Sequence, residues 1–208
     1  MTDTPPEILF DGPEEAPLTL ALAHGAGAPM DSPAMAHHAA GIAGHGFRVA
    51  RFQFPYMAAR RQGGKSRPPD REPKLLASWR AVIAALGPER LAIGGRSMGG
   101  RMASLLADEA GVRALVCISY PFHPPGKPER LRTAHLEAIR TPSLIVQGTR
   151  DPFGAPEEVA GYSLAPSIRL HWCEDGDHGL KPRKASGRSE AQNWQEAEAA
   201  IAGFLSAL

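Results

Sequence analysis

Short apolar runs alternate with longer segments of mixed polarity along most of the chain. The runs are 18–23 (LTLALA), 47–52 (FRVARF), 91–94 (LAIG), 114–119 (ALVCIS), 144–147 (LIVQ) and 168–172 (IRLHW). Several are apolar almost throughout, the pattern of strands covered on both faces, so each predicts a strand of a mostly parallel sheet. Residues 8–10 (ILF) offer an additional edge strand. The segments 32–44, 74–86, 98–110, 129–138, 155–161 and 189–207 predict helices. Strand and helix in alternation predict a three-layer α/β sandwich. Two connections, 55–73 (PYMAARRQGGKSRPPDREP) and 120–128 (YPFHPPGKP), are rich in Pro, Gly and basic residues and should be irregular. Both follow strands, and loops at the carboxyl ends of parallel strands form the ligand crevice, so both should border it.

Composition narrows this picture without changing it. A chain of 208 residues most economically forms one domain, 1–208, and no internal repeat or linker interrupts it. Lys and Arg number 23 against 22 Asp and Glu, a net charge of +1, which argues against nucleic acid or an anionic membrane as the main partner. No apolar run approaches the roughly eighteen residues of a membrane span. The opening MTDTPPEILF lacks a basic region followed by an apolar stretch, so no signal peptide is expected and the cytoplasm is the expected compartment. Cys117 and Cys173 lack metal-ligand spacing and lie in or at the edge of predicted strands, as buried free thiols do.

Three local patterns imitate other chemistry. GGKS at 63–66 ends like a phosphate-binding loop, but Ala59 stands where that motif needs a glycine, and RPPDREP cannot begin the required helix. HGAGAPM at 24–30 starts like a dinucleotide fingerprint, but Met30 occupies the third glycine position and no acidic residue closes the next strand. His37 and His38 are neighbours on a predicted helix and should diverge, which favours surface or capping roles over a metal site. No cofactor or metal is expected.

GRSMG at 95–99 fits G-x-S-x-G between a predicted strand and a predicted helix. That context forces the serine onto a strained, exposed turn, with glycines where side chains would collide. The alternative is a glycine-rich turn with an incidental serine. A serine hydroxyl needs a base, and the base an orienting carboxylate, in the chain order Ser, Asp or Glu, His. LIVQ leads into TRDP at 149–152, and IRLHW leads into CEDGDHGL, which places Asp151 and then His178 in loops after strands. A turn cap is the alternative for Asp151, and an exposed loop histidine for His178. His171 lies in a strand, and His45 and His135 in helical segments, so none of them has the position of a base.

An oxyanion hole needs two backbone N–H groups. Met98, after the serine, should supply one, and Ala26 in HGAG at 24–27 the other. His24, Arg96, Tyr120, His123 and Lys127 lie on or beside loops expected at the crevice and are candidate substrate contacts. Arg60, Arg61, Lys65, Arg67 and Arg71 read as a solvated charged loop or as a site for an acidic substrate.

LAHGAGAPMDSP, RFQFPYM, GGRSMGGRMAS, SYPFHPPGKPERLR, LIVQGTRDPFG and GDHGLKP span residues 22 to 182. In them the chain resembles the small α/β-hydrolases that include testis-expressed protein thirty and the non-specific-lethal complex subunit three, within the dienelactone-hydrolase-like superfamily. The resemblance implies an α/β-hydrolase fold with little or no lid and a Ser97, Asp151, His178 triad. Dienelactone hydrolases proper use cysteine as nucleophile, so their substrate does not transfer. The expected function is a serine hydrolase acting through an acyl-enzyme on a small or exposed ester, thioester or related acyl bond. The substrate would be a small acyl compound. The alternative is a non-catalytic binding or scaffold protein that keeps the fold.

Overall fold

A computed structural model of the chain describes residues 6–61, 63 and 67–208. Among them, the strands β1 (Ile8–Asp11), β2 (Thr19–Ala23), β3 (Arg48–Phe52), β4 (Leu91–Arg96), β5 (Ala114–Ile118), β6 (Ser143–Gly148) and β7 (Ile168–Cys173) form one sheet, ordered β1-β3-β2-β4-β5-β6-β7. β1 joins the edge antiparallel to β3, and the other pairings are parallel. Successive side chains of a strand point to opposite faces, and the apolar runs split accordingly. Leu115 and Cys117 of β5 enter one core with Trp79 and Met102, while Ala114, Val116 and Ile118 enter the other with Met35, Ile42 and Ile201. Helices α3 (Glu72–Leu86) and α4 (Met98–Ser104) therefore cover one face, and α1 (Pro33–Gly44) and α7 (Glu190–Ser206) the other. This is an α/β-hydrolase fold, a mostly parallel sheet flanked by helices. Both cysteines are free and buried.

Strand order creates the crevice. The chain steps from β2 to β3 on one side and then crosses back to place β4 on the other. The carboxyl ends of β2 and β4 become neighbours, with Ala23 opposite Gly95. Such a reversal opens a cleft between the two outgoing loops. Here those loops carry His24 to Gly27 and Ser97.

Four local expectations are corrected. The 55–73 connection opens as a helix, α2 (Pro55–Arg61), rather than as an irregular loop. Pro55 tolerates a first-turn position because its missing N–H has no partner there. Tyr56 and Met57 bury themselves in the core, and the Tyr56 N–H donates to Asp70 Oδ2 at 3.0 Å. Positions 62 and 64–66, with Lys65 and most of GGKS, lie outside the described residues, and 67–71 is irregular.

The helix expected over 98–110 is two, α4 and α5 (Ala107–Ala110), separated where Leu106 N–H turns back to Ala103 O at 3.0 Å. The helix expected over 129–138 shrinks to a 3-10 turn, Ala134–Glu137. Long-range bonds hold that backbone instead, with Arg132 N–H on Phe122 O at 2.7 Å and Ala165 N–H on Leu136 O at 2.9 Å. The span between β5 and β6 thus carries no lid, and 120–128 is irregular as expected.

His37 and His38 converge rather than diverge. His38 is buried, with Nδ1 3.0 Å from Glu198 Oε1, and His37 Nε2 lies 3.6 Å from the same atom. The packing of α1 on α7 brings both rings against Trp194. The remaining helix, α6 (Pro156–Val159), is a single turn.

Candidate active site

Ser97 sits between β4 and α4 at φ 51°, ψ −118°, a backbone conformation that costs an L-residue on the order of 1–3 kcal/mol and persists only when its surroundings impose it. They do so here. Ser97 N–H donates to Ile118 O at 2.9 Å, and Ser97 O accepts from Arg101 N–H at 3.0 Å. A side chain on Gly99 would stand 2.6 Å from His24 O, and one on Gly95 would strike Ala23 O. The two glycines let the turn pass close under β2, and the serine hydroxyl is left at its tip.

Asp151 and His178 reach the same place from β6 and β7. Asp151 is almost completely buried, and its carboxylate accepts from Gln147 Nε2 at 3.0 Å and from Phe153 N–H at 2.9 Å. His178 Nδ1–H donates to Asp151 Oδ2 at 2.8 Å and lies 3.0 Å from Oδ1. A carboxylate only accepts, so Nδ1 carries the ring proton and the Nε2 lone pair faces Ser97 Oγ at 2.9 Å. The Phe153 ring stacks on the imidazole with centroids 4.2 Å apart. Behind the histidine, Trp194 Nε1 donates to Gly179 O at 3.0 Å, and Asn193 Nδ2 to Leu180 O at 2.8 Å. α7 thereby fixes the loop. Asp177 caps that loop through Gly179 N–H and Lys181 N–H, and Asp175 pairs with Arg183. Neither aspartate touches the imidazole.

Ser97 and His178 open onto a cleft of about 290 Å³, lined also by Gly25, Ala26, Gly27, Ala28, Ser32, Met35, Arg96 and Phe153, while Asp151 stays buried behind the histidine. The Met98 and Ala26 amides donate to no other described residue. Of the candidate substrate contacts, Arg96 lines the cleft. Its guanidinium donates to His178 O at 3.3 Å, and burial lowers its pKa against the opposing pull of Asp177, Asp151 and Glu190.

The other four candidates do not line it. His24 is fully enclosed, with Nδ1 on Gly25 O at 2.6 Å and Nε2 accepting from Phe54 N–H at 3.1 Å. Tyr120 is fully buried and donates to Arg132 O at 2.9 Å. His123 is buried, bonded to Pro124 O at 2.9 Å, and Lys127 lies exposed on the surface away from the cleft lining. Of the basic-loop arginines, Arg61 pairs with Asp31 at 2.6 Å and Arg60 donates to Arg67 O at 2.6 Å, while none lines the cleft. Among the described residues no group of three or more His, Cys, Asp or Glu side chains is arranged to hold a metal ion. No helix among them is long and apolar enough to cross a membrane.

Sequence reasoning missed Tyr56 of α2, whose hydroxyl donates to Ala26 O at 3.0 Å. It lies in a stretch that reads as irregular, so no periodicity marked it. It also missed a second serine–histidine contact, Ser104 Oγ to His135 Nε2 at 2.8 Å, because both residues lie in segments that read as helix.

The sequence profile of the family described as "Alpha/beta hydrolase domain" matches residues 16–206. Solved structures share the fold at low identity. An alpha-beta serine hydrolase homologue from Coxiella burnetii aligns at TM-score 0.66 and 17% identity, over 95% of this chain and 88% of that one. A Xanthomonas campestris protein described as an a/b serine hydrolase without lid aligns at 0.65 and 21%, over 95% and 85%. A monoacylglycerol lipase from Paleococcus ferrophilus aligns at 0.71 and 16%, over 96% and 98%.

Proposed function

This chain belongs to the alpha/beta hydrolase domain family, and on that premise we propose that it is a serine hydrolase cleaving a small or exposed ester, thioester or related acyl bond. The observation that carries the reading is the hydrogen-bonded chain from Ser97 Oγ through His178 to buried Asp151, with its serine on a strained elbow. The lidless and serine-hydrolase descriptions of the structural relatives agree with it. The stretches shared with the small hydrolases that include testis-expressed protein thirty support placing the chain in that branch.

In this mechanism Ser97 Oγ attacks the acyl carbonyl carbon while its proton passes to His178 Nε2. Asp151 holds the imidazolium that forms. The carbonyl oxygen becomes an oxyanion and takes hydrogen bonds from the Met98 and Ala26 amides. The intermediate collapses, and the leaving oxygen or sulfur departs with the proton from His178. A water then gives its proton to the same nitrogen, attacks the acyl-enzyme, and releases the acid and Ser97. Ala28, Met35 and Phe153 make the cleft apolar beside the serine, and about 290 Å³ suits a short acyl group better than a long chain.

A fluorophosphonate probe tests the reading. The folded wild type should be labelled, and Ser97→Ala should not. p-Nitrophenyl acetate should be turned over by wild type and not by His178→Ala. A folded wild type that takes no label and has no turnover above His178→Ala would leave the binding-protein alternative.

A further inference from the structure

The loop of Ala26 is gripped from behind. His24 Nδ1 bonds Gly25 O at 2.6 Å, and the Tyr56 hydroxyl donates to Ala26 O at 3.0 Å while lying 3.4 Å from Gly25 O. A trans peptide is planar and its C=O and N–H point in opposite directions. The carbonyl of Gly25 shares its peptide with the Ala26 N–H, and the carbonyl of Ala26 shares its peptide with the Gly27 N–H. With both carbonyls turned in towards His24 and Tyr56, both N–H groups are turned the other way. The other side is the cleft. A side chain on Gly25 would stand 3.7 Å from Ser97 Cβ, and residues 25 to 28 line the same cavity as Ser97 and His178.

We infer that Tyr56 and His24 are positioning residues for the oxyanion hole, aiming and polarising the Ala26 N–H, and with it the Gly27 N–H, through hydrogen bonds to the carbonyls behind them. The inference deepens the serine-hydrolase reading and rests on it. A hydrogen bond to a peptide's oxygen makes its N–H a stronger donor, and the effect is larger away from water. Both clamping groups are built to stay in the donating form. His24 Nε2 accepts from Phe54 N–H, so its proton sits on Nδ1, and burial lowers the ring's pKa and favours this neutral form. Burial raises the Tyr56 hydroxyl to about 12, so it keeps its proton at any working pH. Asp70 holds the Tyr56 backbone N–H, so the clamp stands on an anchored helix rather than on a loose loop.

Tyr56→Phe removes one oxygen and keeps the ring in the core. With p-nitrophenyl acetate, kcat should fall about tenfold, less than the hundredfold or more of losing an oxyanion donor outright, with KM within about twofold. The affinity of an alkylboronic acid, whose tetrahedral adduct on Ser97 places an oxygen in the hole, should fall by a similar factor. A merely structural role would lower thermal stability and leave the boronate affinity per folded molecule unchanged. His24→Asn keeps a donor near Gly25 O and should retain more kcat than His24→Ala, which covers the case of a Tyr56→Phe protein that does not fold.

Wild-type kcat in Tyr56→Phe, unchanged boronate affinity, or equal loss in His24→Asn and His24→Ala overturns the clamp while leaving an active hydrolase. A wild type without fluorophosphonate labelling or turnover overturns the clamp and the hydrolase reading together.

Discussion

Ser97 meets His178 at 2.9 Å and Ser104 meets His135 at 2.8 Å, yet the two pairs differ in nearly everything that matters for chemistry. Ser97 stands on a left-handed turn at a cleft, whereas Ser104 is buried at the end of helix α4 and does not line that cleft. The imidazole of His178 has a carboxylate on its far nitrogen, which sets the tautomer and would stabilise positive charge. His135 has no such partner among the described residues. Its Nε2 faces two hydroxyls, Ser104 Oγ and, at 3.4 Å, Tyr120. Those hydroxyls donate elsewhere, Ser104 to Arg101 O at 2.7 Å and Tyr120 to Arg132 O at 2.9 Å. A proton on His135 Nε2 is therefore what satisfies both oxygens, and a protonated nitrogen cannot take a proton from serine. Burial, with the nearby Arg101 charge, lowers His135 to about 4 and keeps the ring neutral. In the proposed mechanism the Ser97–His178 pair moves a proton, whereas the Ser104–His135 pair ties the 3-10 turn to α4. A short serine–histidine distance is common to both and decides nothing.

The comparison is broken most directly at the serines. Ser97→Ala should lower kcat by roughly a millionfold, to the limit of detection, and abolish fluorophosphonate labelling. Ser104→Ala should label at the wild-type rate; loss of labelling in a folded Ser104→Ala protein would transfer the role to the inner pair. Next in size, Asp151→Asn should lower kcat by about 10⁴-fold, because an amide in place of the carboxylate lets the histidine turn its proton towards Ser97. Steady-state kinetics with p-nitrophenyl acetate checks this, and a loss below tenfold would mean that Asp151 does not set the tautomer.

Smaller effects fall on the inner pair. Ser104→Ala should cost about 1 kcal/mol through a lost hydrogen bond, because it takes from the His135 Nε2–H its nearest acceptor. In a chain of this size that is about 2–4 °C of melting temperature by calorimetry. The smallest effect is a pH dependence. The folded-state pKa of His135 is lowered from its ordinary 6.5, so the unfolded chain takes the proton first. Its contribution is present above about pH 6.5 and is lost as pH falls towards 4. His24, also lowered, has the same sign. Melting temperature should therefore decline over that window, and less steeply in His135→Gln. Identical slopes in the two proteins would assign the acid sensitivity elsewhere.

Much of this site is readable from local sequence. The apolar runs mark β2 to β7 to within a few residues; GRSMG straddles the end of β4, TRDP follows β6 directly, and GDHG follows β7 after two intervening residues. Each such feature depends on local properties, a short apolar run ending in a loop with turn-forming residues. The helix α2 was hidden by Pro55 and the basic tail that follows, although two buried residues in its first turn were enough to dock it. His37 and His38 read as diverging because neighbouring residues on an isolated helix face different ways. The arrival of Glu198 from α7 gives both the same partner. His24 reads as a cleft residue because it begins the loop, whereas both its nitrogens turn inward to backbone groups.

By itself, the sequence determined the strand and helix alternation, the elbow with its two glycines, and the order in which serine, aspartate and histidine reach one edge of the sheet. These are set by residue type and spacing within a few neighbours. Strand order is set by pairing between distant segments, which no local pattern encodes. Only the tertiary structure placed β2 beside β4, and so the HGAG loop against Ser97. It also set Tyr56 behind that loop and gave two equally short serine–histidine contacts opposite proton directions. Hydrogen-bond direction depends on every partner around the donor, and those partners converge from across the chain.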